Sequence, residues 1–523
     1  GVLNKSTVTG LDVTDALNSL NSLVINVKSY GATGNGFTDD TAAINNALNA
    51  AESQSISSGQ TTKVVFPSGK YKTTYSLEYG SNLIIDFQGS LIDFYPTTNN
   101  PSFLISKSWS DTWFASNGEV KNVVIKNLVL RTPLTIGGGV GITRATNILC
   151  ENLRSEEMNN HLVDISGASN IIVQNCFAKN LPDTPYQIDN LEASNPGSIW
   201  MEKSDHTAGS PGNVDYVSKN IKFINNYAEN CLTFIHFHRE NNIDSNVLIS
   251  NNTSINNATP ILLDAAKTWT GITITDNVIW SNIPRARALY LEGTVNNLIV
   301  SNNQFTNYVG VIFHVSGTTS LNNFSFINNK CFDDGTNLAL ERRAINLQKT
   351  YSNITISGNS FNGFDRGISF TAAPTVKNIT INENKFYSLS GRAIGIFGAT
   401  DAIISNNIIS DINTSYDVSN FNSTNYKTYP ISNALAGIVF GSSTNMTIEN
   451  NIFDNIHSSA IVSTDLLSTN ISIKSNRAKL VNSLFVTGST GTVVSNLTIS
   501  GNYVEGTTWT LGGVSVQDTD KAI

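Results

Sequence analysis

The amino-acid sequence predicts an all-β chain wound into a parallel β-helix, and three observations carry that expectation. The first is repetition: Asn220-Ile-Lys-Phe-Ile-Asn-Asn226 returns as Asn246-Val-Leu-Ile-Ser-Asn-Asn252, Asn297-Leu-Ile-Val-Ser-Asn-Asn303, Asn353-Ile-Thr-Ile-Ser-Gly-Asn359 and Asn445-Met-Thr-Ile-Glu-Asn-Asn451. Fourteen copies align, opening at residues 122, 147, 170, 220, 246, 271, 297, 323, 353, 378, 401, 445, 470 and 496, most of them 23 to 30 residues apart. A unit of this length is one supersecondary element that buries its apolar face only against a neighbouring copy, so it implies a solenoid. The second is period: Ile, Val, Leu and Phe alternate with polar residues at every second place, which is the pattern of strands. The third is register: the opening residue is Asn in twelve copies, Gly271 and Asp401 being the exceptions, and all eleven copies from the fourth onward place Asn six residues later. Side-chain amides on successive rungs about 4.8 Å apart can hydrogen-bond up and down the stack as a ladder.

Composition bounds the function. The chain has 523 residues, and the repeat occupies most of them, so one elongated domain is expected. Charged residues are 14% and the formal net charge is -8, which disfavours a nucleic-acid partner, and the surface of neutral Asn, Ser and Thr suits sugars. Cys150, Cys176, Cys231 and Cys331 fall at unrelated points of the repeat and form no disulfide framework or metal-spacing motif, so they are expected reduced and near the core. No apolar run approaches the ~20 residues of a membrane span, and no insertion is expected. The chain opens at Gly1 without Met, which points to trimming from a larger parent.

Taken in order, residues 1–23 hold a short amphipathic stretch, with Val13, Leu17 and Leu20 on one stripe, and are expected to be an oligomer neck or a packing helix. Residues 24–120 form the entry and first coils. A strand enters the glycine turn Tyr30-Gly-Ala-Thr-Gly-Asn-Gly36, Thr38 or Asp39 caps a helix with Ile44 and Leu48 on its buried face, and Val64-Val-Phe-Pro-Ser-Gly-Lys-Tyr71 returns as a strand. The Asp39-Asp40 pair belongs to that helix start and is expected to be structural. The helix would cover the open end of the solenoid. The main β-helix runs over 121–502 with the substrate groove, and 503–523 is a tail.

The entry motif, Tyr-Gly-Ala-x-Gly-x-Gly-x-x-Asp-Asp-Thr-x-Ala-Ile followed by Val-x-Phe-Pro-x-Gly-x-Tyr, resembles that of the pectate-lyase superfamily, above all the bacteriophage tailspike depolymerases. The resemblance implies a right-handed β-helix and a homotrimer. It also implies attachment to a virion tail through a region missing or trimmed at the N-terminus, and action at the host cell surface on a capsular or O-antigen polysaccharide. The Gly-His-Gly and Arg-Ile-Lys signatures of polygalacturonases and the Trp-x-Asp-His motif of pectate lyases are absent. Plant pectin is therefore not the expected substrate.

Each coil carries a second strand upstream of its Asn strand. Aligned by their aliphatic second and fourth places, these strands read Leu162-Val-Asp-Ile-Ser166, Ser198-Ile-Trp-Met-Glu202, Phe234-Ile-His-Phe-His238, Pro260-Ile-Leu-Leu-Asp264, Ala288-Leu-Tyr-Leu-Glu292, Gly310-Val-Ile-Phe-His314 and Ala344-Ile-Asn-Leu-Gln348. Third and fifth places then point outward on one face. The fifth-place column is Ser166, Glu202, His238, Asp264, Glu292, His314, Gln348 and, from Gly367-Ile-Ser-Phe-Thr371, Thr371, and the third place adds Asp164, Trp200, His236 and Tyr290. Any solvated wall shows a polar column, but ionisable residues concentrate in its middle coils, and four of the six histidines, His206, His236, His238 and His314, lie in or beside it.

Glycoside hydrolysis needs an acid and a second carboxylate. Glu202, Asp264 and Glu292 are the candidates. Adjacent rungs put Asp264 and Glu292 about 5 Å apart at the backbone, suiting a retaining pair, and Glu202 and Asp264 near ~9.5 Å, at the upper end for an inverting one. Substrate would be held by Asp164, Trp200, His236, His238, Arg239, Trp269, Arg285, Arg287, Tyr290, His314 and Gln348, with aromatics stacking on sugar rings and arginines pairing with sugar carboxylates. Loops 181–196 and 203–216 would stand beside the column, and a second insertion covers 411–432. No metal or cofactor is expected for a hydrolase. The alternative is a lyase, with His238 or Tyr290 as base and calcium held by Asp164, Asp264 and Glu292. A noncatalytic adhesin is the third reading.

Overall fold

The structure, a computed structural model, describes residues 23–97, 102–133, 138–158, 160–181, 186–189, 218–238, 243–283, 286–307, 310–316, 320–333, 342–348, 350–370, 376–412, 436–464, 467–487 and 493–505. Among them the chain is a succession of strands with two α-helices, Thr41–Ser58 and Asp111–Asn117. Strands pair in parallel with their counterparts one repeat away: Val123, Ile148, Ile171 and Ile221 share one row, and Leu298, Phe324, Ile354 and Ile379 another. A coil has three strands, as in Lys219–Ile224, Tyr227–Glu229 and Thr233–His238. The first is the Asn strand, the second spans a short face, and the third is the strand read above as the candidate column.

The chain divides into two compact units, residues 1–272 and 273–523. In the first, Val123, Ile148, Ile171 and Ile221 are fully buried on successive coils. In the second, aromatic rings stack along the core, Phe361 and Phe386 at 5.0 Å and Phe326 and Phe361 at 6.3 Å between ring centroids. All four cysteines are free and buried, as expected. Burial pushes the Cys176 thiol up to about 12.

The reason for the repeated Asn lies in the corners. The opening residue of each copy adopts a left-handed backbone, with φ of 58° at Asn122, 55° at Asn220 and 56° at Asn353, a conformation that Asn, Asp and Gly tolerate far better than other residues. Gly271 and Asp401, which break the sequence pattern, keep that geometry with φ of 74° and 58°. The side chains form the expected ladder, Asn246 Nδ2 donating to Asn220 Oδ1 at 2.8 Å and Asn353 Nδ2 to Asn323 Oδ1 at 2.8 Å.

The Asn six residues later is buried and fully bonded. Asn303 Oδ1 accepts from the backbone N–H of Asn277 at 2.9 Å and from its Nδ2 at 2.9 Å, while Asn303 Nδ2 donates to the carbonyl of Ile274 at 2.9 Å and to Asn329 Oδ1 at 3.0 Å. A side-chain amide has two donor hydrogens and two acceptor lone pairs, and all four are used. The series continues through Asn359, Asn384, Asn407, Asn451 and Asn476.

The entry segment forms the expected helix and strands, but the residue at the helix N-cap is Asp40, without a side-chain cap hydrogen bond, and not Thr38 or Asp39. Ile44, Ala47, Leu48 and Ala51 bury one face of the helix against strands Leu23–Asn26, Thr62–Val65, Leu77–Tyr79 and Leu83–Asp86. Just before that cap, Asp39 Oδ1 accepts from the Thr41 N–H at 3.0 Å, whereas Thr38 Oγ1 accepts from Asn35 Nδ2 at 3.0 Å. The buried Asp40 carboxylate ties the glycine turn, accepting from Thr33 N at 2.7 Å, Thr33 Oγ1 at 3.0 Å and Gly34 N at 3.1 Å. Both carboxylates thus have structural partners. The expected N-terminal neck, the loops beside the column apart from 181 and 186–189, the second insertion apart from 411–412 and the tail beyond 505 lie outside the described residues.

Candidate functional site

In the first unit the third strands stack in the order Gly138–Thr143, Val163–Ser166, Tyr186–Asp189 and Thr233–His238, the last pairing with the strand Thr259–Thr275. The third-place row is Asp164, Gln187, His236 and Leu262. This corrects one alignment. The rung between Ser166 and His238 belongs to Tyr186-Gln-Ile-Asp189, so Asp189, not Glu202, sits opposite Ser166. The 50-residue step from 170 to 220 contains two short alternating segments, and alternation alone does not choose between them. Trp200, Glu202, His206 and Arg239 lie outside the described residues, as do the side chains of His238 and Asp264, whose backbones pair as expected.

Two residues expected in the groove are buried instead. Trp269 is 1% exposed and packs edge-on against Phe237 at 5.1 Å, so it belongs to the core. Asp164 is fully covered, as are Ser166 and Arg144, and Arg144, with φ of 45°, stands over the ring of Phe114 at 4.9 Å. The sequence marks Asp164 as outward by parity, but parity reports only which face a side chain leaves from and not what covers that face. His236 is half-buried.

In the second unit the third-place row is Tyr290, His314, Asn346, Ser369 and Gly395. Here too the expected register shifts. Gly310 pairs with Ala286, two residues before its expected partner Ala288, so His314 lies opposite Tyr290 and Glu292 lies opposite Ser316. A slip of two residues leaves every side chain on its own face, so the alternation that exposes a one-residue slip does not detect it. His314 therefore moves from the fifth place to the third, and at 8% exposed it is nearly covered. The side chain of Glu292 and the whole of Arg285 lie outside the described residues, so the Asp264 and Glu292 carboxylates are not placed.

Around His314 the structure assembles a cluster that the sequence shows only in part. The Tyr290 ring lies tilted against the imidazole, 5.4 Å between centroids and 30° between planes, and the Arg287 guanidinium lies over the Tyr290 ring at 4.3 Å. From the following coil, Asn346 Nδ2 meets His314 Nδ1 at 3.1 Å, and Arg343 Nη1 donates to Asn346 Oδ1 at 2.8 Å. Burial, then the cations Arg287 and Arg343, push the His314 pKa down to about 4, so the ring is neutral near pH 7. Gln348 is half-buried, its backbone N–H donating to the Tyr351 hydroxyl.

The row continues to a third arginine. The Arg392 guanidinium stands 5.3 Å from the Phe397 ring, and a Cβ on Gly395 would come 2.4 Å from Arg392 Nε, so the glycine makes room for it. Arg343, Asn346 and Arg392 escaped the sequence reading. Asn346 is a third-place polar residue in the sequence, but Arg343 precedes its strand's aligned places and Arg392 lies between the strands Lys385–Leu389 and Ile394–Phe397.

Cation and aromatic groups with a neutral imidazole can bind an oxygen-rich, anionic or ring-shaped ligand. Among the described residues no group of three or more His, Cys, Asp or Glu is placed to hold a metal ion, and no helix is long and apolar enough to cross a membrane.

The model for the family described as Rhamnogalacturonase A/epimerase, pectate lyase-like matches residues 24–286, and that for the right handed beta helix region matches 343–521. Plasmin and fibronectin-binding protein A of Streptococcus pneumoniae is 23% identical over 450 residues, which is 71% of this chain and 58% of that protein. This chain thus spans less than two thirds of that relative. Among solved structures, the tailspike of Escherichia coli bacteriophage HK620, crystallised with a hexasaccharide, is similar at 11% identity with a TM-score of 0.49, over 93% of this chain and 81% of that one. The N-terminal fragment of bacteriophage phi29 gene product 12 gives 13% and 0.46 over 92% of each chain, and the Azotobacter vinelandii mannuronan C-5 epimerase AlgE6 A-module 12% and 0.32 over 92% and 99%. With a pectate lyase-like model covering just over half of the sequence and a right-handed β-helix model covering much of the rest, the chain belongs to the Rhamnogalacturonase A/epimerase, pectate lyase-like family.

Proposed function

We propose that this chain recognises and depolymerises a bacterial surface polysaccharide, capsule or O-antigen, as part of a phage tail acting at the host cell surface. The observation that supports it most is the row of Arg287, Tyr290, His314, Asn346 and Arg343, which sets cationic, aromatic and hydrogen-bonding groups on consecutive coils. A glycan laid along the rungs meets a new group about every 4.8 Å, near the spacing of one sugar. The entry motif read from sequence favours a trimer whose end is covered by the helix Thr41–Ser58. A native mass of one subunit would sink the trimer.

The reaction we favour is hydrolysis by a carboxylate pair, Asp264 with Glu292, one protonating the leaving oxygen while the other attacks or activates water. One observation favours elimination as the second reading: the cluster around His314 is made of Arg, Tyr and His, the groups that neutralise a uronate carboxylate and remove its α-proton, with Tyr290 as base. A binding role without turnover is the third, in keeping with the name of the pneumococcal relative. Incubation with a panel of capsular polysaccharides, reading reducing ends together with the ultraviolet absorbance of unsaturated sugars, separates the three. Reducing ends alone are expected, and Asp264→Asn with Glu292→Gln is expected to abolish them. Full activity in that double variant would remove this pair, rising absorbance would establish the lyase, and binding with neither signal would leave an adhesin.

A further inference from the structure

We infer that Arg343 and Asn346 lock His314 into the tautomer protonated on Nε2, making the ring a neutral hydrogen-bond donor that reads an acceptor oxygen of the bound glycan. The inference rests on the polysaccharide reading for its ligand, but the lock itself follows from hydrogen-bond polarity. Arg343 Nη1 lies 2.8 Å from Asn346 Oδ1, and a guanidinium only donates, so that end of the amide must be the oxygen. The other end is therefore the NH2 group, and it faces His314 Nδ1 at 3.1 Å. An amide NH2 cannot accept, so Nδ1 presents its lone pair, and the proton of the neutral ring sits on Nε2.

The surroundings hold the ring in that state. Tyr290 and Arg287 face it from the preceding coil and Arg343 and Asn346 from the following one, while Arg366 lies opposite Arg343 one coil further on. An imidazolium would set N–H against N–H at Asn346 and a third positive charge between Arg287 and Arg343. Burial and those two cations keep the pKa near 4. His314 is 8% exposed, and among the described residues its hydrogen bond runs through Nδ1, with none at Nε2. Nε2–H is thus the donor the ring has left to offer a ligand. The chain Arg343 to Asn346 to His314 passes the guanidinium's polarisation to that N–H without giving the ring a charge.

The test uses 15N-histidine spectra of the full chain, with His314→Gln to assign the ring, and an array of bacterial capsular and O-antigen polysaccharides as the binding probe. At pH 7 the wild type is expected to show a pyridine-like Nδ1 and a protonated Nε2 for His314. Asn346→Asp turns the partner into an acceptor, so the proton moves to Nδ1 and Nε2 becomes the lone pair. That variant is expected to bind the wild type's best polysaccharide at least about tenfold more weakly at pH 8, and to recover as acidification protonates the ring. His314→Phe is expected to lose binding similarly and His314→Gln, which restores a neutral donor, to recover most of it. A wild-type ring protonated on Nδ1 overturns the lock alone. Asn346→Asp binding like wild type at pH 8 overturns the donor role alone. An array with nothing bound to the wild type overturns the glycan role together with the function proposed above.

Discussion

A buried amide is tolerated only when its hydrogen-bonding valences are filled, and Asn303 meets that condition on four sides. Asn303→Ala leaves the Ile274 carbonyl and the Asn277 N–H without this partner, and is expected to lower unfolding free energy by about 2 to 5 kcal/mol in denaturant titrations. Asn303→Asp keeps the acceptor side but turns carboxylate oxygen toward the Ile274 carbonyl and Asn329 Oδ1, so its loss should be larger at pH 7 than at pH 4. A variant unfolding like wild type would reduce the ladder to decoration. His314 gives a second residue-level expectation. Its folded pKa, about 4, lies below the usual histidine value, so between roughly pH 6.5 and 4 the unfolded chain binds the extra proton. The contribution is fully present above that window and lost as pH falls through it. His314→Gln is expected to flatten stability against pH across the window, and an unchanged slope would mean that the ring titrates normally.

Side-chain identity made the Asn strand legible, because its corners demand a left-handed backbone and its interior demands a saturated amide, and both restrict the choice of residue. The third strand was legible only to its face. Tyr186–Asp189 and Ser198–Glu202 both alternate correctly, and Gly310–Ser316 alternates equally well two residues out of place, so inward and outward assignments survived while the neighbours of His314 did not. Arg343 reaches Asn346 from beside the strand, a contact that periodicity does not encode. The entry element was readable because each motif residue has one task there. Asp40 alone accepts three hydrogen bonds that hold the glycine turn against the helix start. Asp40→Ala should therefore cost about 2 to 4 kcal/mol and lower the melting temperature while leaving polysaccharide binding per folded molecule unchanged. Loss of binding in a fully folded Asp40→Ala would return that carboxylate to the list of functional groups.

A solenoid joins each coil mainly to the coils on either side, so damage should stay local. Although the chain's net charge is -8, the charged groups that act on His314 among the described residues, Arg287 and Arg343, are cationic, so the site's character is set by a few rungs. The same locality can be tested within the second unit at Gly363. Its φ is 83°, and a Cβ there would come 1.8 Å from the Asp333 carbonyl oxygen, an overlap only backbone movement can relieve. Nearby, buried Arg342 binds Asp365 at 2.9 Å and approaches Asp333 at 3.5 Å, so the strain falls where two coils are stapled, immediately before Arg343. Gly363→Ala is expected to speed amide exchange in strands Lys330–Phe332, Arg343–Leu347 and Ser360–Asn362, and to weaken the Arg343 to Asn346 contact. Strands Thr444–Glu449 and Ser468–Lys474, several coils away, should keep wild-type protection. Uniform acceleration across all five strands would instead make the unit one cooperative block, and the site's rigidity would then depend on every coil equally.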